Sequence, residues 1–176
     1  MPPVDPASFL APLSLSNVLT MLCALLCLWT TSPQAHGGVW RLWRLATPAA
    51  FAAVVSLMLL SSVFEATWQH DAEWLAALLI GGLAGRTRGW TLPVEIDQMW
   101  GLVRLPRSRD ALIAAFGMVA MSVLDFSSAA VEGIVLLEPQ HIAAGSALFA
   151  GFIGCRALAI IVRSTRAPHV GLRDAA

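Results

Sequence analysis

The chain has 176 residues, of which 57% are hydrophobic and only 12% charged, and its mean hydropathy is +0.72. Soluble domains carry about 25% charged residues, so this chain has too little polar surface to cover itself in water, and an integral membrane protein is expected. Eleven cations balance eleven acids, and every cation is an arginine. They are too few and too scattered for a nucleic-acid interface, and nucleic acid is excluded as a partner. The three cysteines, Cys23, Cys27 and Cys155, all lie in apolar stretches, which argues against a disulfide framework.

In chain order, residues 1–12 hold four prolines and read as an irregular tail. A first membrane helix is expected over about 13–31, retained because neither a basic leader nor a small-residue cleavage site accompanies it. The segment that follows interleaves Trp40, Arg41, Trp43 and Arg44 after the turn formers Gly37 and Gly38. That pattern suits a short amphipathic piece lying among lipid headgroups. A second span is expected over about 46–64, with Pro48 in its first turn. A third, over about 72–85, is short for a bilayer of ~30 Å; it carries Gly81 and Gly85 as a GxxxG pair that permits close helix approach. A fourth span covers about 110–131, with a continuation towards Glu138, and a fifth covers about 141–162. On the fifth, Ala143, Ala147, Gly151, Cys155 and Ala159 recur every four residues as a ridge of small side chains made for tight packing.

Between the third and fourth spans lies a polar island, residues 86–109. Leu92, Val94 and Ile96 alternate with polar residues and proline at the strand period. Asp97 to Gly101 supplies turn chemistry and Leu102 to Leu105 a return strand, so a β-hairpin is expected. A lone hairpin is marginal in water; this one is expected to lie apolar side down on the membrane, with Trp90 and Trp100 at the interface. The fold class is therefore an all-α membrane protein, a single domain of about five transmembrane helices with a cytoplasmic β-hairpin between helices 3 and 4.

Orientation follows from arginine. The first loop holds Arg41 and Arg44, the island holds Arg86, Arg88, Arg104, Arg107 and Arg109, and the tail holds Arg163, Arg166 and Arg173. The alternate loops hold Glu65, Asp71, Glu73, Glu132 and Glu138 and no arginine. The positive-inside rule then puts the N-terminus outside and the C-terminus in the cytoplasm of a bacterial inner membrane. The island's arginines and tryptophans (Arg86, Arg88, Trp90, Trp100, Arg104, Arg107, Arg109) form a platform for anionic lipid headgroups or for a partner protein. The order of short apolar helix, Gly85-Arg86, hairpin with Asp97 near its turn and Gly101 after it, basic segment and long helix from Asp110 resembles the CcdC-like small bacterial membrane proteins. That resemblance covers about a seventh of the chain. It implies a link to cytochrome c biogenesis for some members and assigns no catalytic residue.

Inside the spans, Asp125 is an ionisable residue at membrane depth and so a functional candidate. Glu132 lies two turns further along the same face, and the pair could bind a cation or relay a proton. Arg156 on the fifth span could pair with Asp125, but helix rise separates their depths by roughly 10 Å, which favours snorkelling of Arg156 to the cytoplasmic side. Cys23, Cys27 and Cys155 allow a thiol relay only without a CxxC spacing. The outer loops hold His70, His141 and several acids, but no close ligand spacing for a metal. No P-loop or catalytic triad is evident, and no cofactor is expected. The leading expectation is a non-enzymatic accessory, scaffold or assembly subunit that works with a membrane-protein partner or a second copy. A small proton- or cation-coupled transporter using Asp125 and Glu132 is the first alternative, and a thiol-redox or cytochrome c biogenesis factor the second.

Overall fold

Small side chains, alanine and glycine above all, fill much of the seams between the helices of this protein, while many of its large apolar side chains point outward. A computed structural model describes residues 14–63, 67–130 and 137–166. The elements are α1 (Leu15–Ala35), β1 (Gly38–Arg41), α2 (Leu42–Ser61), α3 (Trp68–Thr91), β2 (Glu95–Asp97), β3 (Leu102–Leu105), α4 (Asp110–Ala130) and α5 (Pro139–Ser164). Four of these helices, α1, α2, α4 and α5, are long and apolar enough to cross a membrane. Ala24, Ala52, Ala114, Ala115, Ala143 and Ala147 are buried, whereas Leu79, Ile80, Leu83, Ile113, Phe116 and Leu158 are each more than half exposed. Water would penalise so many outward apolar side chains; a lipid surround does not, and small residues at the seams let helices approach without a hydrophobic driving force.

Helix ends follow from local chemistry. Ser14 caps α1 by accepting the Asn17 amide at 3.3 Å. Pro139 opens α5 at a position where its missing amide costs nothing. Pro48 lies seven residues into α2 rather than in its first turn, because α2 begins at Leu42 and not near Ala46. Its missing N–H frees the Arg44 carbonyl four residues earlier. That carbonyl accepts instead from Gln34 Nε2 of α1 at 3.0 Å and from Thr47 Oγ1 at 2.9 Å. A polar residue of one helix thus repairs the break in its neighbour. The expected continuation of the fourth helix towards Glu138 falls on 131–136, outside the described residues.

Helix α3 is 24 residues long, or about 36 Å by helix rise, and so extends past the expected 72–85 at both ends, although it is not among the four helices apolar enough to cross a membrane. Its glycines set its partner. A Cβ at Gly81 would stand 1.9 Å from the Leu148 carbonyl oxygen, one at Gly85 2.1 Å from that of Phe152, and one at Gly89 2.8 Å from that of Arg156. Positions 81, 85 and 89 thus climb in step with 148, 152 and 156, so α3 and α5 run parallel with their backbones in contact. Gly151 answers from α5, where a Cβ would sit 2.3 Å from the Leu78 carbonyl oxygen. Helix α4 runs the other way along α5, with Gly117 facing Phe149 and Gly145 facing Met121.

The hairpin is present, but shorter and differently placed. Helix α3 continues through Thr91, so Arg86, Arg88 and Trp90 are helical and the first strand is Glu95–Asp97 alone. The Asp97 carboxylate accepts from the Met99 and Trp100 amides at 3.1 and 3.2 Å, and Gly101 completes the turn at φ 59°. A third strand was not foreseen. The segment read as an amphipathic headgroup piece begins with β1, which pairs antiparallel with β3 from Gly38↔Leu105 to Arg41↔Leu102 and gives the strand order β1-β3-β2. The sheet's apolar side also departs from expectation. Ile96, Val103 and Leu105 pack on Leu45, Leu92 and Ile160. The hairpin caps the end of the helix bundle instead of lying on lipid.

Filling the α3–α5 seam should therefore be costly. Gly85→Ala is expected to lower stability by about 1–3 kcal/mol through overpacking. Gly154→Ala, with open space around its Cβ, should be neutral or raise stability by about 0.5–1 kcal/mol. Thermal unfolding of both variants in detergent checks the contrast.

Candidate functional site

The sheet end of the bundle gathers the polar residues. All ten described arginines lie in the sheet, in its connections, or within about 12 Å of that end by helix rise. At its centre is Asp110, the first residue of α4 and 17% exposed in its side chain. Its Oδ2 accepts from Arg88 Nε of α3 at 2.6 Å, and its Oδ1 lies 3.5 Å from Arg156 Nη2 of α5. Oδ1 also accepts from Ser108 Oγ and from the Ala111 amide. One carboxylate therefore ties three helices together at the point where the α4 dipole favours a negative charge.

With those donors already placed on it, Asp110 is a joint rather than a free base or ligand. Arg156 is 6% exposed, and its Nε has no acceptor among the described residues. Arg163 of α5 adds a second tie, donating from Nη1 to the Gly89 and Leu92 carbonyls at 2.8 and 2.7 Å and so satisfying the last turn of α3. Gln98 Nε2 in the hairpin turn donates to the Ser164 carbonyl at 3.2 Å, which fastens the sheet to the end of α5.

The expected platform residues divide into two sets. Arg88 is consumed by Asp110, and Arg104 pairs across the strands with Glu95 at 2.8 Å. Arg86, Arg107 and Arg109, together with Arg41 and Arg44 of the first connection, are exposed and have no ion-pair partner among the described residues. Trp90 and Trp100 are exposed too, and the Arg163 guanidinium lies over the Trp90 ring at 5.9 Å. The arrangement leaves an open cationic face whose inner arginines do structural work and whose outer ones are free to meet anions.

Arg156 turns to Asp110 at the sheet end and not to Asp125. Asp125 is half-buried on α4, and among the described residues its carboxylate has no hydrogen-bond or ion-pair partner. Glu132 lies outside the described residues, as does Glu65. The cysteines fall on different seams: Cys27 donates to the Pro48 carbonyl at 3.4 Å between α1 and α2, and Cys155 faces Gly82 of α3. At the far end, His141 Nδ1 lies 3.0 Å from Glu73, while its Nε2 lies 3.7 Å from Glu138. The two carboxylates address opposite edges of one imidazole and so cannot share a metal ion with it. Asp110, Gln34 and Arg163 were missed by sequence reasoning. The available signal was the Ser108-Arg-Asp110 triplet at the start of an apolar run, which is helix-start chemistry.

Because Arg156 is buried, removing its partner should be severe. Asp110→Asn is expected to destabilise by about 3–5 kcal/mol, and the double variant Asp110→Asn/Arg156→Met by less than the single one, since the uncompensated charge is gone. Arg88→Gln, at a half-exposed site, should cost about 1 kcal/mol or less. Thermal unfolding of the set measures the coupling as a double-mutant cycle. No family model, curated protein or solved structure matches the chain.

Proposed function

We propose that this protein is a five-span membrane scaffold or assembly subunit, without catalytic activity, whose sheet end faces the cytoplasm and docks a membrane-protein partner. The observation that carries the reading is the division of its arginines. Arg88, Arg104, Arg156 and Arg163 are spent on internal ties, whereas Arg41, Arg86, Arg107 and Arg109 surround them as an exposed cationic face. Short loops rich in arginine stay on the cytoplasmic side, which puts the sheet inside and the Glu73–His141 end outside. Parallel α3 and α5, with α4 after α3 in the chain running the other way, fit α3 as the fifth crossing, with Trp68 and Trp90 near its two ends as interfacial anchors.

In a variant stripped of its native cysteines, a cysteine at Arg107 is expected to react with an impermeant maleimide only from the cytoplasmic side, and one at Glu73 only from outside. Purification in mild detergent should recover a stable partner, lost or weakened at least several-fold when Arg86, Arg107 and Arg109 are all changed to Gln. Recovery of a lone monomer in every detergent tested would overturn the scaffold reading while leaving the orientation standing.

One observation favours a second reading. Asp125, at membrane depth and with no partner among the described residues, has the character of an ion or proton site. Proton flux into liposomes that falls at least tenfold in Asp125→Asn would establish it, and equal flux in wild type, variant and empty vesicles would end it.

A further inference from the structure

Three of the seven tryptophans converge on one lateral groove at the sheet end, between the last turns of α1 and the first turns of α2. The groove has a volume of about 370 Å³ and is lined by Trp29, Pro33, Gln34, Trp40, Trp43 and Arg44. That size falls within the roughly 300–1,000 Å³ of ligand sites. We propose that this groove binds a single anionic glycerophospholipid, with its phosphate held by Arg44 and by the indole N–H of Trp40, which turns out of the layer beneath the sheet to reach it.

Three features of the site point to that occupant. First, Trp40 Nε1 is buried and has no hydrogen-bond acceptor among the described residues. A buried donor left without an acceptor costs about 1–3 kcal/mol, and a turn of the indole that brings its N–H from the layer beneath the sheet to a phosphate oxygen would remove that cost. Second, the Arg44 guanidinium lies over the Trp43 ring at 5.5 Å, with no carboxylate among its ion-pair partners. A guanidinium set over a ring face keeps its N–H edge available to an anion. The backbone beneath is already settled, since the Arg44 carbonyl is occupied by Gln34 and Thr47; the charged side chain is not needed to hold the helix.

Third, the groove has the depth profile of a lipid. Arg44 is the third residue of α2, at the sheet end. Trp29 is six residues from the end of α1 and 74% exposed, about 9 Å in from that helix end by helix rise and so about 6 Å further in than Arg44. Positive charge at the headgroup level followed by exposed indole at the acyl boundary matches the order of groups in a phospholipid. A soluble anion would use Arg44 and leave the exposed face of Trp29 without a role. The inference rests on the membrane reading and on the sheet end lying at a headgroup layer. It is independent of whether the protein is a scaffold, because a lone monomer would bind lipid here equally well.

The test is native mass spectrometry of the full chain in detergent, titrated with dioleoyl phosphatidylglycerol and, separately, with dioleoyl phosphatidylcholine. One tightly held phosphatidylglycerol is expected, preferred over phosphatidylcholine. Arg44→Gln and Trp40→Phe should each weaken it about tenfold, the loss of one hydrogen bond to a charged group. Arg107→Gln, an exposed arginine in the connection between β3 and α4, should leave it unchanged. Trp40→Phe keeps the ring and decides the matter if Arg44→Gln lowers the unfolding temperature. Equal affinity for the two lipids, equal losses in Arg44→Gln and Arg107→Gln, or displacement of the bound lipid by millimolar inorganic phosphate would each overturn the proposal.

Discussion

The backbone contact between α3 and α5 is the constraint on which the rest of the structure depends. Gly81, Gly85 and Gly89 come close enough to the Leu148, Phe152 and Arg156 carbonyls that no side chain fits between them. Dispersion and close approach supply the attraction along such a seam, because helices with apolar outer faces gain no hydrophobic drive towards one another in a lipid surround. The contact holds the polar ends of both helices side by side. Arg88 and Arg156 then reach one carboxylate, and α4 must start where that carboxylate stands. A separation larger by one methyl group along this seam would pull Asp110 away from one of its two arginines.

Charge is distributed by the same logic. A buried guanidinium in a bundle of alanine and leucine is tolerated because Asp110 sits at a helix start, where the backbone already favours an anion. The sheet adds a second apolar layer at the same end of the bundle. Ile96, Val103 and Leu105 cover Leu45, Leu92 and Ile160, while Arg88 at the outer side of the charged cluster stays half exposed. The exposed arginines outside that layer are left for contacts beyond the chain.

Much of this was legible in the residues. Apolar runs and the alternation of arginine with acid marked the helices and the common end of the basic loops. The Asp97–Gly101 turn marked the hairpin, and the four-residue spacing of small side chains marked the α5 ridge. Three things were not. Arg86, Arg88 and Trp90 read as loop because polar residues interrupt the apolar run, but tertiary contacts of Gly89 with α5 carry the helix through them. Strand β1 was hidden because its four residues are too few to show a period, and its partner lies more than sixty residues away. The role of Asp110 depended on which helices meet at it. Spacing along one helix says nothing about a residue on another.

The central position of β3 also has a temporal consequence. Strand β1 leaves the ribosome with the first helical pair, yet its partner β3 is made only after α3 and the hairpin turn, 67 residues later (Gly38 to Leu105, 105 − 38). At about 5–20 residues per second that interval is roughly 3–13 s. Throughout it, a strand edge that carries Trp40 and Arg41 stands open. The protein's own late strand must find that edge before another extended chain does. Its brevity, four residues, and the arginine at its end are the features that keep such an edge from pairing elsewhere.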